Sequence, residues 1–128
     1  MAKSKSYGLA SLQKKQNDAT KLLIIGGEIE RARQAKTYMA YIELAKLTGL
    51  FSGGSPLAKL LGVLFEMDHD EGRAPRTALV VHRTDGVWGE PGHGFFEMCE
   101  KHGWLPAGAS DADKTKLWQS MCVEVWNG

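Results

Sequence analysis

Residues 37–83 read TYMAYIELAKLTGLFSGGSPLAKLLGVLFEMDHDEGRAPRTALVVHR, and the order of patterns inside them predicts an architecture. Tyr41, Leu44, Ala45 and Leu47 make the apolar face of a helix over 40–48, which Gly49 stops as a left-handed residue. Ser52-Gly53-Gly54-Ser55-Pro56 then predicts a turn and a new helix. Ser55 caps it, and Pro56 takes a first-turn place where a missing N–H is harmless. Leu57, Leu60, Leu61, Leu64 and Phe65 give this helix, expected over 55–66, a broad core face, with Lys59 and Glu66 outside. Asp68 to Glu71 reads as a charged turn that ends it. The apolar run that follows predicts a strand over 77–82, buried on both faces. Thr84-Asp85-Gly86 is a hairpin turn, because Asp-Gly supplies the positive φ angles it needs, and Val87-Trp88 starts the returning strand.

Outward from this centre the pattern stays helical. Leu22, Ile25, Ile29 and Ala32 recur at helical spacing, but Gly26-Gly27 interrupts them, so one long helix and two short ones are both compatible. Residues 1–17 are polar and Lys-rich, a basic and flexible arm, and 18–128 form a single domain. On the other side, a Gly/Pro-rich loop from Gly89 to Gly94 opens onto a helix over 95–101 that Gly103 ends. Asp111 is expected to cap a final helix with Leu117, Trp118, Met121 and Val125 on one face. Helix, turn, helix and hairpin are the outline of a winged helix-turn-helix, a nucleic-acid-binding scaffold. The predicted fold class is α+β, mainly helical: a winged helix-turn-helix-like domain with a short β-hairpin and an extra C-terminal helix.

Composition narrows the classes. At 128 residues the chain is one domain's worth, able to bury roughly 65–70% of its unfolded surface. A net charge of +1 excludes the global field of a strongly basic nucleic-acid binder. The charge is uneven, however. Residues 1–36 carry eight Lys and Arg against Asp18, Glu28 and Glu30, a net of +5 that leaves −4 for the rest. Cys99 and Cys122 make no disulfide framework and read as reduced thiols. Leu22 to Ile25 is too short for a signal-peptide core or a membrane span, so a cytoplasmic protein without membrane association is expected.

Chemistry-bearing constellations are sparse. Gly92-His93-Gly94 lacks the following x-x-Gly of a dinucleotide fingerprint and reads as a tight loop packed under Phe95 and Phe96. His82, His93, Cys99 and His102 are soft donors in a short span, with Asp68, His69, Asp70 and Glu71 near them. No Cys-x-x-Cys or His-Glu-x-x-His run organises them, so neither a metal nor another cofactor is expected. A Cys99–His nucleophile pair is outweighed by the usual fate of a free cysteine on an apolar helix face, which is burial. Of the four tryptophans, three read as core, and Trp88 at a wing tip is the one placed to reach nucleic acid.

Residues 40–62 followed by 79–83 resemble the winged-helix domain of O6-alkylguanine-DNA alkyltransferases and alkyltransferase-like proteins. In that family Ser-Tyr-Gly-Glu-Leu-Ala opens the first helix of the motif, and Ala40-Tyr41-Ile42-Glu43-Leu44-Ala45 keeps Tyr, Glu, Leu and Ala in step. Lys59-Leu60-Leu61-Gly62 stands where the family has Arg-Ala-Val-Gly, whose Arg enters the base stack. Val80-Val81-His82-Arg83 stands where it has the reactive Pro-Cys-His-Arg. Val81 in place of the nucleophile excludes methyl transfer at that position, and Lys59 lacks a planar guanidinium. The loop 89–96 has no counterpart. The resemblance implies a winged helix that binds DNA, with lesion recognition as one form of it.

The function expected from these readings is a small, non-enzymatic DNA-binding protein of winged-helix type, alkyltransferase-like in one form. Its DNA-binding residues are Tyr41, Ser55, Lys59, Arg83 and Trp88, and it has no catalytic or metal residues. The competing class is a protein-interaction module on a winged-helix shell, binding a protein partner or a second copy, as an accessory protein borne on a phage or operon would. A metal-dependent hydrolase using His82, His93 and Asp68 is the third.

Overall fold

The computed structural model describes the backbone of residues 2–50 and 55–128, and the side chains of 17–50 and 56–128. Helix α1 (Ala2–Gln34) takes in the backbone of the stretch read as an arm and runs unbroken through Gly26-Gly27. Ile25 and Ile29 on either side of the glycines are fully buried, so packing overrides the weak propensity of the pair. Strand β1 (Met39–Ala40) follows and leads straight into α2 (Tyr41–Thr48). Gly49 ends α2 at φ 71°, donating back to the carbonyls of Ala45 and Lys46, as expected of a left-handed stop. The inward face of α2 differs from the expected one. Leu47 is half exposed, and Thr48 is buried in its stead because its hydroxyl donates to the Leu44 carbonyl at 2.7 Å.

The turn expected at Ser52-Gly53-Gly54 and the capping role of the Ser55 side chain lie outside the described residues. Helix α3 (Ser55–Asp70) extends beyond the expected end at Glu66. It buries Leu57, Leu60, Leu64 and Phe65 as the apolar spacing predicts. Asp68 is no exposed turn residue: it is fully buried in the last turn of α3. Its Oδ2 accepts from the Arg76 backbone N–H at 2.8 Å and its Oδ1 from Arg73 Nε at 2.8 Å. The clasp folds residues 71–76 back over the helix end, with Gly72 at φ 73° making the turn.

The strand expected over 77–82 is mostly something else. A 3-10 turn covers Arg76–Leu79, and only β2 (Val80–Val81) is extended. Pro75 and the Asp68 clasp start that turn, the Ala78 N–H donates to the Pro75 carbonyl at 3.0 Å, and the Ala78 carbonyl accepts from Trp118 Nε1 at 2.8 Å. β2 is buried on both faces, and it pairs in parallel with β1, Met39 opposite Val80 and Ala40 opposite Val81. The hairpin is where the sequence puts it: β3 (Arg83–Thr84) pairs antiparallel with β4 (Val87–Trp88) through Asp85 at φ 51° and Gly86 at φ 77°.

Helix α4 (His93–Lys101) begins two residues earlier than expected, so His93 is helical rather than in a loop. Helix α5 (Asp111–Asn127) is capped by Ser110, not Asp111, the Ser110 hydroxyl accepting from the Asp113 N–H at 3.1 Å. α5 lies against the 3-10 turn, and Trp126 Nε1 reaches the Thr37 carbonyl at 3.0 Å. Tyr38 sits among Trp88, Trp118 and Trp126, with ring centroids 5.2–5.9 Å away. Among the described residues the fold is mainly helical, five helices with two small two-stranded sheets. No helix among the described residues is long and apolar enough to cross a membrane.

Candidate functional site

A groove of about 570 Å³ opens between the start of α2, the middle of α3, β2 and the start of α4. Tyr41 enters it because β1 runs directly into α2, which sets the first helical side chain beside β2. Its ring lies 5.7 Å from that of His82, and burial pushes its phenol above the ordinary tyrosine range. Lys59 and Gly62 come from α3, on the side opposite its buried leucines. Phe95 and Met98 of α4 close the far wall.

Two details of the lining carry chemical information. Thr77 lines the groove, but its hydroxyl oxygen is itself buried beneath the wall and has no hydrogen-bond partner among the described residues, an unsatisfied polar group that the groove does not reach. In the 89–94 loop, Gly89 serves close approach. Gly89 donates to the His82 carbonyl at 2.7 Å, where a β-carbon would stand 3.2 Å from that oxygen. The His82 N–H in turn donates to the Glu90 carbonyl, and Glu90 accepts from the Thr115 hydroxyl of α5 at 2.6 Å. The loop is therefore tied down on both sides. Of its glycines only Gly89 fits backbone to backbone; a β-carbon at Gly92 would meet the His82 side chain at 3.4 Å, and one at Gly94 would meet open space.

The residues singled out from the sequence divide into three sets. Tyr41 and Lys59 share the groove with His82 and His93. Arg83 and Trp88 lie together on the hairpin, the guanidinium carbon 4.5 Å from the Trp88 ring, and neither lines the groove. Trp88 is half-buried against Tyr38 and so is less free than a wing tip suggests. Ser55 begins α3, and its side chain lies outside the described residues.

The donor set His82, His93, Cys99 and His102 is split apart. His82 and His93 line the groove, while His102 bonds to Glu66 at 2.9 Å. Cys99 is fully buried, as is Cys122, and burial pushes both thiols up to about 12. A hydrolytic trio of His82, His93 and Asp68 does not assemble, because Asp68 is held under Arg73 and Arg76. Val81 is fully buried. The groove thus holds aromatic, cationic and hydroxyl groups but no thiol. Thr77 was missed in the sequence, where a threonine inside an apolar run reads only as strand. The chain matches no protein-family model, no curated protein and no solved structure.

Proposed function

We propose that this chain is a small non-enzymatic DNA-binding protein of winged-helix type whose groove receives a base extruded from the duplex, in the manner of an alkyltransferase-like protein. In this reading α2 and α3 are the helix pair and β3–β4 is the wing. The observation that carries it is the groove itself. It joins the ring and phenol hydroxyl of Tyr41, the ammonium of Lys59 and the imidazoles of His82 and His93 in a space of about 570 Å³. An extruded base needs an apolar wall, a stacking ring and a few hydrogen-bonding groups, and this volume lies in the ordinary range for small-ligand sites.

The outward face of α3 supports the same mode. It exposes Pro56, Ala58, Lys59 and Val63, small or apolar residues with a single cation, which permit close approach but offer one donor to base edges. Affinity would then come from phosphate contacts by Lys59 and Arg83, and discrimination from the groove rather than from the helix. Val81 leaves no nucleophile to accept an alkyl group, so the protein would bind a modified base without repairing it.

Fluorescence anisotropy tests the proposal, with one plain duplex and one carrying O6-methylguanine, each titrated at several salt concentrations. The expected result is binding that weakens steeply with salt and is tighter for the modified duplex. Equal affinity for the two would remove the base-receiving groove and leave DNA binding. No binding at low salt would remove both. A protein partner is the second reading, favoured by Leu23 of α1 at 78% exposure and Leu47 of α2 at 51%. Light scattering tests its simplest form, a dimer of this chain.

A further inference from the structure

The end of α3 and the end of α4 bring together a second set of groups, apart from the groove. Glu66 and His69 stand three residues apart on α3 and therefore on one helix face. His102 follows the last turn of α4 and faces them. Its Nε2 lies 2.9 Å from Glu66 Oε1, and its ring stacks on that of His69 with centroids 3.8 Å apart. One oxygen and two imidazole nitrogens lie within 4.8 Å of one another, the one such group of three or more among the described residues.

We propose that Glu66, His69 and His102 form a binding site for zinc or another divalent ion that prefers imidazole. Two imidazoles and a carboxylate are a ligand set that leaves the fourth tetrahedral position to water, and bonds of about 2.0–2.1 Å set such donors about 3.3 Å apart. The Glu66–His102 pair is already at that scale, and His69, stacked on His102 at 25°, must swing out of the stack to aim a ring nitrogen at the same ion. Both rings have aromatic neighbours outside the set. Phe65 lies parallel to His102 at 5.8 Å, and Trp104 packs on His69 at 5.6 Å. The Phe65 contact limits the freedom of the His102 ring, so His69 is the ligand that moves when the ion arrives.

The same surroundings give access and a competitor. His69 and Trp104 also line an open cavity of about 450 Å³ with Arg73 and Glu124, so water can reach the fourth position. Lys101 Nζ sits 3.0 Å from Glu66 Oε1 and must give way when the ion binds. A bound ion would clip α4 to α3, and α4 also supplies one wall of the groove. The site is independent of the DNA-binding reading.

The test uses the full chain, free of any affinity tag and stripped with a chelator, titrated with Co2+ and then with Zn2+. The expected result is saturable binding of one Co2+ per chain, with the visible d–d bands of a four-coordinate centre that Zn2+ abolishes. Quenching of Trp104 fluorescence by Co2+ should follow the same curve. Glu66→Gln and His69→Gln should each weaken binding by about tenfold or more, as losing a metal-supporting group does. Lys101→Gln should tighten it by about two- to fivefold, the worth of the exposed ion pair it removes. If His69→Gln does not fold, Glu66→Gln alone decides, because the carboxylate is partly exposed. Absence of saturable binding to the folded chain overturns the proposal. So does binding that keeps its affinity in Glu66→Gln, or binding lost instead in His82→Ala and His93→Ala variants.

Discussion

Asp68 and Lys59 stand on the same helix and meet opposite surroundings. Asp68 is fully buried, with both carboxylate oxygens accepting hydrogen bonds from Arg73 and Arg76. Lys59 is exposed at the rim of the groove. At the Asp68 end the charge is answered from within the chain, and the result is architecture: a closed loop, a 3-10 turn and a seat for α5. At the Lys59 end the ammonium stands exposed at the groove, where the proposed DNA contact would neutralise it. A buried charge with fixed partners speaks to folding, whereas an exposed cation at the rim of a groove is the kind of group a ligand can use.

Substitution separates the two ends. Asp68→Ala should lower unfolding stability by about 3 kcal/mol, the lower end for breaking a buried ion pair, because Arg73 and Arg76 retain solvent contact. Urea denaturation reads this as a lower midpoint at unchanged slope. A loss under about 1 kcal/mol would mean that the clasp is ornamental and the contrast false. The next effect belongs to the packed side as well. Cys99 and Cys122 ionise at about 12 when folded, against an ordinary value of 9.0. As pH rises the unfolded chain gives up these protons first. Stability is therefore full below about 9 and declines from there toward 12. Tyr38 and Tyr41, also raised by burial, add to the decline with the same sign. A Cys99→Ala, Cys122→Ala double variant should decline less steeply, which alkaline denaturation curves would show.

What could be read before the structure was what is coded locally. Gly49 stops α2, Asp85-Gly86 turns the hairpin, and the leucine spacing of α3 names its buried face, because each depends on a few adjacent residues. The misses depend on partners far along the chain. Nothing in Met39-Ala40 announces a strand, and it is one only because Val80-Val81 lies beside it. The expected strand over 77–82 shrank because its carbonyl at Ala78 serves Trp118, forty residues on. Asp68 looked like a surface turn because its burial needs Arg76 folded back over it. The site divides the same way. Tyr41 and Lys59 entered through a resemblance of short motifs, while Thr77 and the Glu66–His69–His102 set exist only through tertiary contact.

The open end of α3 makes a smaller, more selective prediction. Lys59→Ala should leave unfolding stability within about 0.5 kcal/mol, as an exposed side chain without a structural role does. It should weaken binding to every duplex to a similar degree. It should also reduce the slope of log affinity against log salt by about 1, the signature of one lost phosphate contact. Preserved affinity and slope would move the docking face away from α3.

Arg83 tests where the boundary between the two behaviours runs. Its guanidinium lies over Trp88, which packs on Tyr38, so on one side it belongs to the packed aromatic cluster. It is also exposed on the hairpin, where a wing would meet the phosphate backbone. A cation–π contact at an exposed site contributes about 0.5–1 kcal/mol, so Arg83→Gln should cost no more stability than that. If the hairpin is a wing, the same variant also reduces the salt slope, and the loss adds to that of Lys59→Ala because the two side chains reach different phosphates. Lost stability with unchanged DNA affinity would assign Arg83 to the fold alone. The binding surface would then end at the groove, with Tyr41 and Lys59 as its edge.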